Sequence, residues 1–138
     1  MTYKFEHLEV WQLALDYIDA IYLLAEKLPR QEEYNLKAQI IRAATSIALN
    51  IAEGSQGQTD AEQARFLGLS IRSLIETVAC QQLIRHRKYL GDESLLVDIY
   101  LKSQTLARKL QAFRNTLSAP PHKLREEPIE YIVDTEVG

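Results

Sequence analysis

The segment that decides the fold is RAATSIALNIAEG, which runs from Arg42 to Gly54. Its Ala and Ile residues recur every three or four positions, the period of a helix with one apolar face. Four polar side chains interrupt this pattern at a regular spacing of their own: Arg42, Ser46, Asn50 and Glu53. Because a helix turns by about 100° per residue, they form one narrow stripe, the polar seam, beside the apolar face.

The polar seam has three interpretations: a structural network, a ligand or active-site cluster, and a solvent-exposed stripe. A buried charge is stable only when it is paired, and the guanidinium of Arg42 can donate two parallel hydrogen bonds to a carboxylate. Glu53 lies on the same stripe, and Glu76 on the following helix can face it. We predict that Arg42, Glu53 and Glu76, with Ser46 and Asn50, form a network that fixes helix register. In that case Arg42→Ala would lower the free energy of unfolding by about 3–5 kcal/mol.

Composition places the chain among single-domain proteins of the cell interior. It has 138 residues, of which 46% are hydrophobic, enough for a real core. The single Cys80 excludes an internal disulfide framework, and no residues have zinc-ligand spacing. The first residues, MTYKFEHLEVWQ, lack the apolar core of a signal peptide, and no apolar run reaches membrane-spanning length. We therefore expect a cytoplasmic protein without a metal, a cofactor or a membrane partner.

Apolar residues recur with helical period in four segments separated by short loops, which make neighbouring helices antiparallel. The predicted fold is therefore all-α, an antiparallel up-down-up-down four-helix bundle over residues 1–118. A short acidic C-terminal tail follows over residues 119–138, with 2 basic and 5 acidic side chains. This tail is too polar to fold alone, and one place for it is the surface of a neighbouring subunit.

The predicted helices differ in how they begin and end. The first has a heptad stripe that we expect to face the core: Leu8, Trp11, Leu15, Ile18, Tyr22 and Ala25. Three more residues widen this stripe to the breadth that a globular core needs: Ala14, Ile21 and Leu28. The second is predicted over residues 31–53, with Gly54 as a left-handed C-terminal cap. The third is predicted over residues 60–89, with Thr59 as its N-cap. The fourth follows over residues 92–118.

The third helix is apolar on two faces, so it needs two burial partners. A lone four-helix bundle offers one, which suggests that the second face is a subunit interface. Four residues of that face are the predicted oligomer contacts: Phe66, Leu69, Leu83 and Ile84. The alternative is a helix wedged deeply within its own bundle.

Basic residues are the other candidate for a binding surface. Residues 55–118 have 9 basic and 6 acidic side chains, although the whole chain has a net charge of -3. The candidate RNA-binding residues centre on a run near the end of the third helix: Arg85, Arg87 and Lys88, extended by Arg72, Lys102, Arg108 and Lys109. Solvated helix faces are the simpler explanation of the same charges.

Catalysis finds little support in the sequence. The three histidines, at positions 7, 86 and 122, are scattered, and the Glu-x-x-His pairs of a di-iron bundle are missing. If the protein is an enzyme, Glu53 and Glu76 are the candidate pair of catalytic carboxylates. We therefore predict no catalytic residues.

Several motifs resemble one known family: FEHLEVWQLA at residues 5–14, RAATSIALNIAEG at residues 42–54 and SLIE at residues 73–76. Over residues 5–117 the chain resembles proteins encoded by intervening sequences in bacterial 23S ribosomal RNA genes. The resemblance implies a four-helix bundle with no enzymatic activity and a homo-oligomer, typically a pentameric ring. It also implies a fold related to accessory proteins of diversity-generating retroelements, which bind a reverse transcriptase and its RNA. The family often has a basic residue after its EG, where this chain reads SQGQ without charge.

Three functions follow as hypotheses. The first is a non-catalytic homo-oligomeric bundle, pentameric by resemblance, that acts as a binding or scaffolding module in an RNA-associated setting. The second is a protein-binding accessory subunit for a reverse transcriptase or another linked enzyme. The third is an enzyme that uses Glu53 and Glu76.

Overall fold

The described part of the chain is a bundle of four antiparallel helices. A computed structural model describes residues 2–57 and 59–118, so the predicted placement of the tail lies outside the described residues. The helices are α1 (Glu9–Ala25), α2 (Leu36–Ser55), α3 (Asp60–His86) and α4 (Ser94–Ser118). Each packs on its neighbours in chain order, and α4 closes the bundle against α1. The predicted all-α four-helix bundle is confirmed.

Local hydrogen bonds explain where the helices begin. The Oγ1 atom of Thr59 accepts a hydrogen bond from the backbone N–H of Glu62 at 3.1 Å, which confirms the predicted N-cap of α3. Helix α2 begins at Leu36, later than predicted, because residues Arg30–Glu32 form a separate 3₁₀ turn. The buried carboxylate of Glu32 then accepts the N–H of Leu36 at 3.3 Å and so caps α2.

Glu32 also ties two loops together at one end of the bundle. The hydroxyl of Tyr89, beyond the end of α3, donates a hydrogen bond to the Glu32 carboxylate at 2.5 Å. This bond is the main reason that the pKa of Glu32 lies below its ordinary value, although burial acts in the opposite direction. The α1–α2 and α3–α4 connections are therefore held against each other.

The structure changes the role of the glycine in the opening motif. Gly54 lies inside the last turn of α2 and has no positive φ, so the prediction of a left-handed cap there was wrong. A Cβ added to Gly54 would come within 2.6 Å of the Phe66 Cβ, so this glycine permits close approach of α3. The left-handed position is instead Lys88, with φ 58°, just after α3 ends.

Helix α1 faces the core with one edge of the predicted apolar side. Ala14, Ile21 and Ala25 are buried as predicted, and the core also includes three residues that the prediction left out: Val10, Tyr17 and Leu24. Two members of the predicted stripe lie on the outside: Leu15 is 37% exposed and Tyr22 is 45% exposed. Apolar spacing therefore identifies the helix and part of its buried side, and packing against the other helices decides which edge lies deepest.

Tyr17 is buried because its hydroxyl has partners on α3. It donates to Thr77 Oγ1 at 2.7 Å, and it accepts a hydrogen bond from Gln81 Nε2 at 2.8 Å. Thr77 in turn donates to the carbonyl of Leu74 at 2.6 Å. A buried hydroxyl is tolerated when such bonds replace those to water, so these side chains connect α1 with α3 across the bundle.

The two apolar faces of α3 are largely explained within one protomer. α3 lies between α2 and α4, and its buried arc is wide enough to include Cys80 and Ile84 as well as Leu67 and Leu74. Ile84 is 0% exposed, so its predicted place in an oligomer interface is wrong. Of the other predicted contacts, Phe66 and Leu69 are half-buried, and Leu83 is 52% exposed.

None of the helices in the described part of the chain combines the length and the apolar character needed to cross a membrane.

Candidate functional site on the α2–α3 face

Hydrogen bonds join the middle of the polar seam to α3. The Asn50 side-chain amide donates to the carbonyl of Ser46 at 2.9 Å and to its Oγ at 3.0 Å. Ser73 donates to the same Ser46 Oγ at 3.0 Å. Deeper in the contact, the Ser70 hydroxyl donates to the carbonyl of Ile47 at 2.8 Å. The bonds from Ser70 and Ser73 connect α3 to α2, and those from Asn50 hold Ser46 within α2. The role of the polar seam in fixing helix register stays a prediction.

The charged members of the predicted network do not join it. Arg42, Glu53 and Glu76 are exposed, and no ion pair within 4 Å links them across residues 2–57 and 59–118. They lie at the outer edge of the α2–α3 contact, where water solvates the charges and pairing is not required. The predicted buried arginine–carboxylate network is therefore not formed within one protomer.

Removing Arg42 should consequently have a small effect on the stability of the protomer. Surface substitutions that break no specific contact usually change stability by less than about 0.5 kcal/mol. We expect Arg42→Ala to stay within that range in chemical unfolding of dilute protein, in place of the larger loss estimated for a buried pair. A loss above about 3 kcal/mol would show that Arg42 has a buried partner after all.

Glu53 and Glu76 are too far apart to act as a catalytic pair. Gly54, next to Glu53, lies against Phe66, and Glu76 is ten residues further along α3. Ten helical residues correspond to about 15 Å, well beyond the separation of paired catalytic carboxylates. The carboxylates that the enzyme hypothesis needs are thus not brought together.

Among the described residues, neither the Cys80 thiol nor a metal site gives this face a catalytic group. Burial raises the pKa of the Cys80 thiol, and nearby Glu76 raises it further, while Arg42 opposes both. A thiol with a raised pKa is a poor nucleophile. Among residues 2–57 and 59–118, no group of three His, Cys, Asp or Glu side chains is placed to hold a metal ion.

What the α2–α3 face does offer is a continuous surface of apolar and charged side chains, here called the seam face: Arg42, Leu49, Leu69, Glu76 and Leu83. Leu49 is 60% exposed. The three residues from α3 follow each other at heptad spacing, as do the two from α2, so each set forms one stripe. Since Ser70 bonds to Ile47, Leu49 and Leu69 lie at the same level of the helix pair.

The predicted RNA-binding residues are not gathered into one cluster. Three of them lie near acidic side chains: Arg85 is 3.5 Å from Glu93, Lys102 is 4.0 Å from Asp98, and Lys109 is 3.4 Å from Glu9. Arg87 donates to the hydroxyl of Tyr89 at 3.3 Å and lies over its ring. Arg72, Lys88 and Arg108 are exposed, with no carboxylate within 4 Å in the described residues.

A shallow groove lies between α1 and α4. It has a volume of about 380 Å³ and is lined largely by apolar side chains, among them Leu8, Val10 and Phe113. The Glu9–Lys109 ion pair closes one side. Neither Glu53 nor Glu76 lines it, so it gives no support to the enzyme hypothesis.

Comparison with known families agrees with this architecture. A family model described as 23S rRNA-intervening sequence protein matches residues 6–112. The chain belongs to this family. The match begins just before α1, ends within α4 and includes the whole polar seam. The seam face thus lies inside the region that matches the 23S rRNA-intervening sequence protein family. Comparison with curated proteins finds no match.

Proposed function

We propose that this 23S rRNA-intervening sequence protein is a non-catalytic homo-oligomer that serves as a binding or scaffolding module in an RNA-associated setting. The seam face is the surface through which its subunits join. The observation that supports this proposal is the exposure of Leu49 and Leu83 beside two charges, Arg42 and Glu76, that have no ion-pair partner in the described protomer.

The chemistry of the seam face suits another helix of the same protein. Single exposed leucines are ordinary, but here Leu49, Leu69 and Leu83 lie with Arg42 and Glu76 on heptad-spaced stripes of two adjacent helices, a pattern found in helix–helix interfaces. Burying such side chains stabilises association by about 25 cal/mol per Å² of apolar surface. Arg42 and Glu76 have opposite charges, so a neighbouring subunit can supply each with a partner. In a ring, this face would meet a different face of the next subunit.

The RNA-associated setting rests on the family and on charge. The name of the family refers to 23S ribosomal RNA, and the α3–α4 half of the chain is its basic half. Phosphate contacts from arginine and lysine supply most of the affinity in binding to nucleic acids without sequence preference. These two facts support an RNA-associated role. The pentameric state and the RNA partner are further parts of the same proposal.

Light scattering coupled to size exclusion tests the oligomer and the seam face together. We expect the unchanged protein to elute with the mass of several subunits, five by resemblance. Leu49→Glu should shift the mass towards the monomer, because it buries an unpaired carboxylate at the interface. The matched control is Leu23→Glu on α1, since Leu23 is 56% exposed and lies outside the seam face.

The outcomes separate the parts of the proposal. A monomer at micromolar concentration for the unchanged protein would overturn the homo-oligomer, and would favour the alternative of an accessory subunit that binds a different protein. An oligomer that survives Leu49→Glu would place the interface on another face.

A further inference from the structure

One half of the α3–α4 surface has basic side chains and no acidic ones. Residues 63–75 of α3 include two arginines and no Asp or Glu, and residues 99–118 of α4 include four basic residues and again no Asp or Glu. The two segments are neighbours, since a Cβ added to Gly68 would lie 3.5 Å from Arg114 Nε. Two remote parts of the sequence thus combine into one basic zone.

Three arginines of this zone are exposed and have no ionic partner: Arg65, Arg72 and Arg108, here called the arginine patch. No carboxylate lies within 4 Å of any of them across residues 2–57 and 59–118. The other basic residues of the zone are engaged differently: Lys102 lies near Asp98, Lys109 pairs with Glu9, and Arg114 lies against Gly68.

The arginine patch has the dimensions of a short stretch of nucleic-acid backbone. Arg65, Gly68 and Arg72 are three and four residues apart, so they share one face of α3, and the arginines are separated by about 10 Å along the helix. Gly68 and Arg114 lie against each other where α3 and α4 meet, and the two helices run antiparallel. Arg72 follows Gly68 on α3 and Arg108 precedes Arg114 on α4. Both arginines therefore lie in the same direction along the bundle from this contact. About 10 Å of DNA duplex carries about six phosphate charges.

The surroundings of the patch indicate what kind of anion it suits. Arg65 lies over its neighbour Phe66 with the guanidinium carbon 4.5 Å from the ring centroid, which leaves the guanidinium edge for hydrogen bonds. Glu62 and Glu76 border the zone on α3, so the positive surface is confined between them. Three arginine forks spread over two neighbouring helices suit the repeated phosphates of a polynucleotide better than a single small anion.

We propose that the arginine patch is a binding site for the phosphodiester backbone of a nucleic-acid duplex, with RNA the source that the proposed function favours. This inference rests on the RNA-associated part of that function and not on the oligomer. It moves the site away from the basic run at the end of α3, where Arg85 and Arg87 already have partners. It also adds Arg65, which the sequence pattern did not single out.

Fluorescence anisotropy with a labelled RNA duplex of about 16 base pairs, long enough for a shape-reading domain, tests the site. The test variant is Arg65→Gln/Arg72→Gln/Arg108→Gln in the full chain. The control, Arg85→Gln/Arg87→Gln/Lys88→Gln, removes the same number of positive charges from the end of α3. Circular dichroism and light scattering check that both variants keep the fold and the mass of the unchanged protein.

We expect the test variant to bind at least about tenfold more weakly at about 0.1 M salt, and the control to lose much less. The slope of log affinity against log salt should fall by about one for each phosphate contact removed. A DNA duplex of the same sequence serves as a second ligand. If the unchanged protein binds the RNA duplex more tightly, RNA is the ligand of the patch. If it binds the DNA duplex equally or more tightly, the patch recognises duplex phosphates in general.

Two results would overturn the site. One is no binding of either duplex by the unchanged protein at about 50 mM salt, and the other is an equal loss of affinity in the test and control variants. Neither result depends on subunit number, so a monomer that binds through the patch would refute the proposed oligomer and keep this site.

Discussion

Gly54→Ala should destabilise the protein by about 1–3 kcal/mol, even though alanine is the better helix former. The added methyl group would lie 2.6 Å from the Phe66 Cβ and 3.4 Å from its Cγ. The Cβ of Phe66 is fixed to the α3 backbone, so rotation of the side chain does not relieve the overlap. The two helices must separate at this point, and the packing around Phe66 is lost. Guanidinium unfolding followed by far-UV circular dichroism measures the change.

Gly68→Ala is the matched control, because it makes the same substitution within a helix at a position with room. A Cβ there would meet Arg114 at 3.5 Å, an ordinary van der Waals distance. We expect Gly68→Ala to stabilise the protein by about 0.5–1 kcal/mol through helix propensity. Opposite signs for the two variants are the decisive result, and a stabilising Gly54→Ala would contradict the close approach of α2 and α3. Unfolding at several protein concentrations separates this effect from any change in association.

Tyr17→Phe should cost about 1–3 kcal/mol, the penalty for leaving a buried polar group without a partner. The substitution keeps the ring and removes only the hydroxyl. The amide of Gln81 then loses its acceptor, and Thr77 loses the hydrogen bond that it accepts. Thermal and chemical unfolding of Tyr17→Phe, compared with the unchanged protein, measures this loss.

Gln81→Met separates the role of the network from the general cost of changing the core. Gln81 is buried, and its Oε1 has no hydrogen-bond partner in the described part of the chain. Methionine has a similar volume, so we expect Gln81→Met to stay within about 1.5 kcal/mol of the unchanged protein. The double variant should cost less than the sum of the single changes, because the amide that Tyr17→Phe strands is gone. Strict additivity would mean that the two side chains do not depend on each other.

The seam face and the arginine patch border each other on α3, which has a consequence for assembly. Arg65, Leu69, Arg72 and Glu76 follow each other at intervals of three or four residues, so they lie along one side of the helix. A subunit interface through the seam face would therefore lie directly beside the patch. Patches brought together on one oligomer would bind one polynucleotide more tightly than a single patch does.

The polar seam shows how far the sequence leads at the candidate site. Helical spacing places Arg42, Ser46, Asn50 and Glu53 on one stripe, and the structure bears this out. Spacing does not say how deeply the stripe is buried. Of these four, Ser46 forms a hydrogen bond with α3, and Asn50 donates to Ser46 within α2. The charged members stay in solvent because they lie beyond the line where the two helices meet.

The properties that depend on residues close together in the chain can be predicted from the sequence alone. Helical period, the Thr59 cap and short loops specify four antiparallel helices, and the motif at Arg42 to Gly54 specifies the family. These properties are local, since a helix forms and ends through residues three or four positions apart.

Which side of each helix is buried, and which charges are unpaired, follows from how the helices pack together and is seen in the folded structure. Tyr17 on α1 is buried with its hydroxyl bonded to Thr77, which is 60 residues further along the chain. The need for Gly54 depends on Phe66, and the arginine patch exists because Arg65 and Arg72 lie beside a segment of α4 that has no acidic residue. Such pairings join residues that are remote in the chain, so no local pattern encodes them.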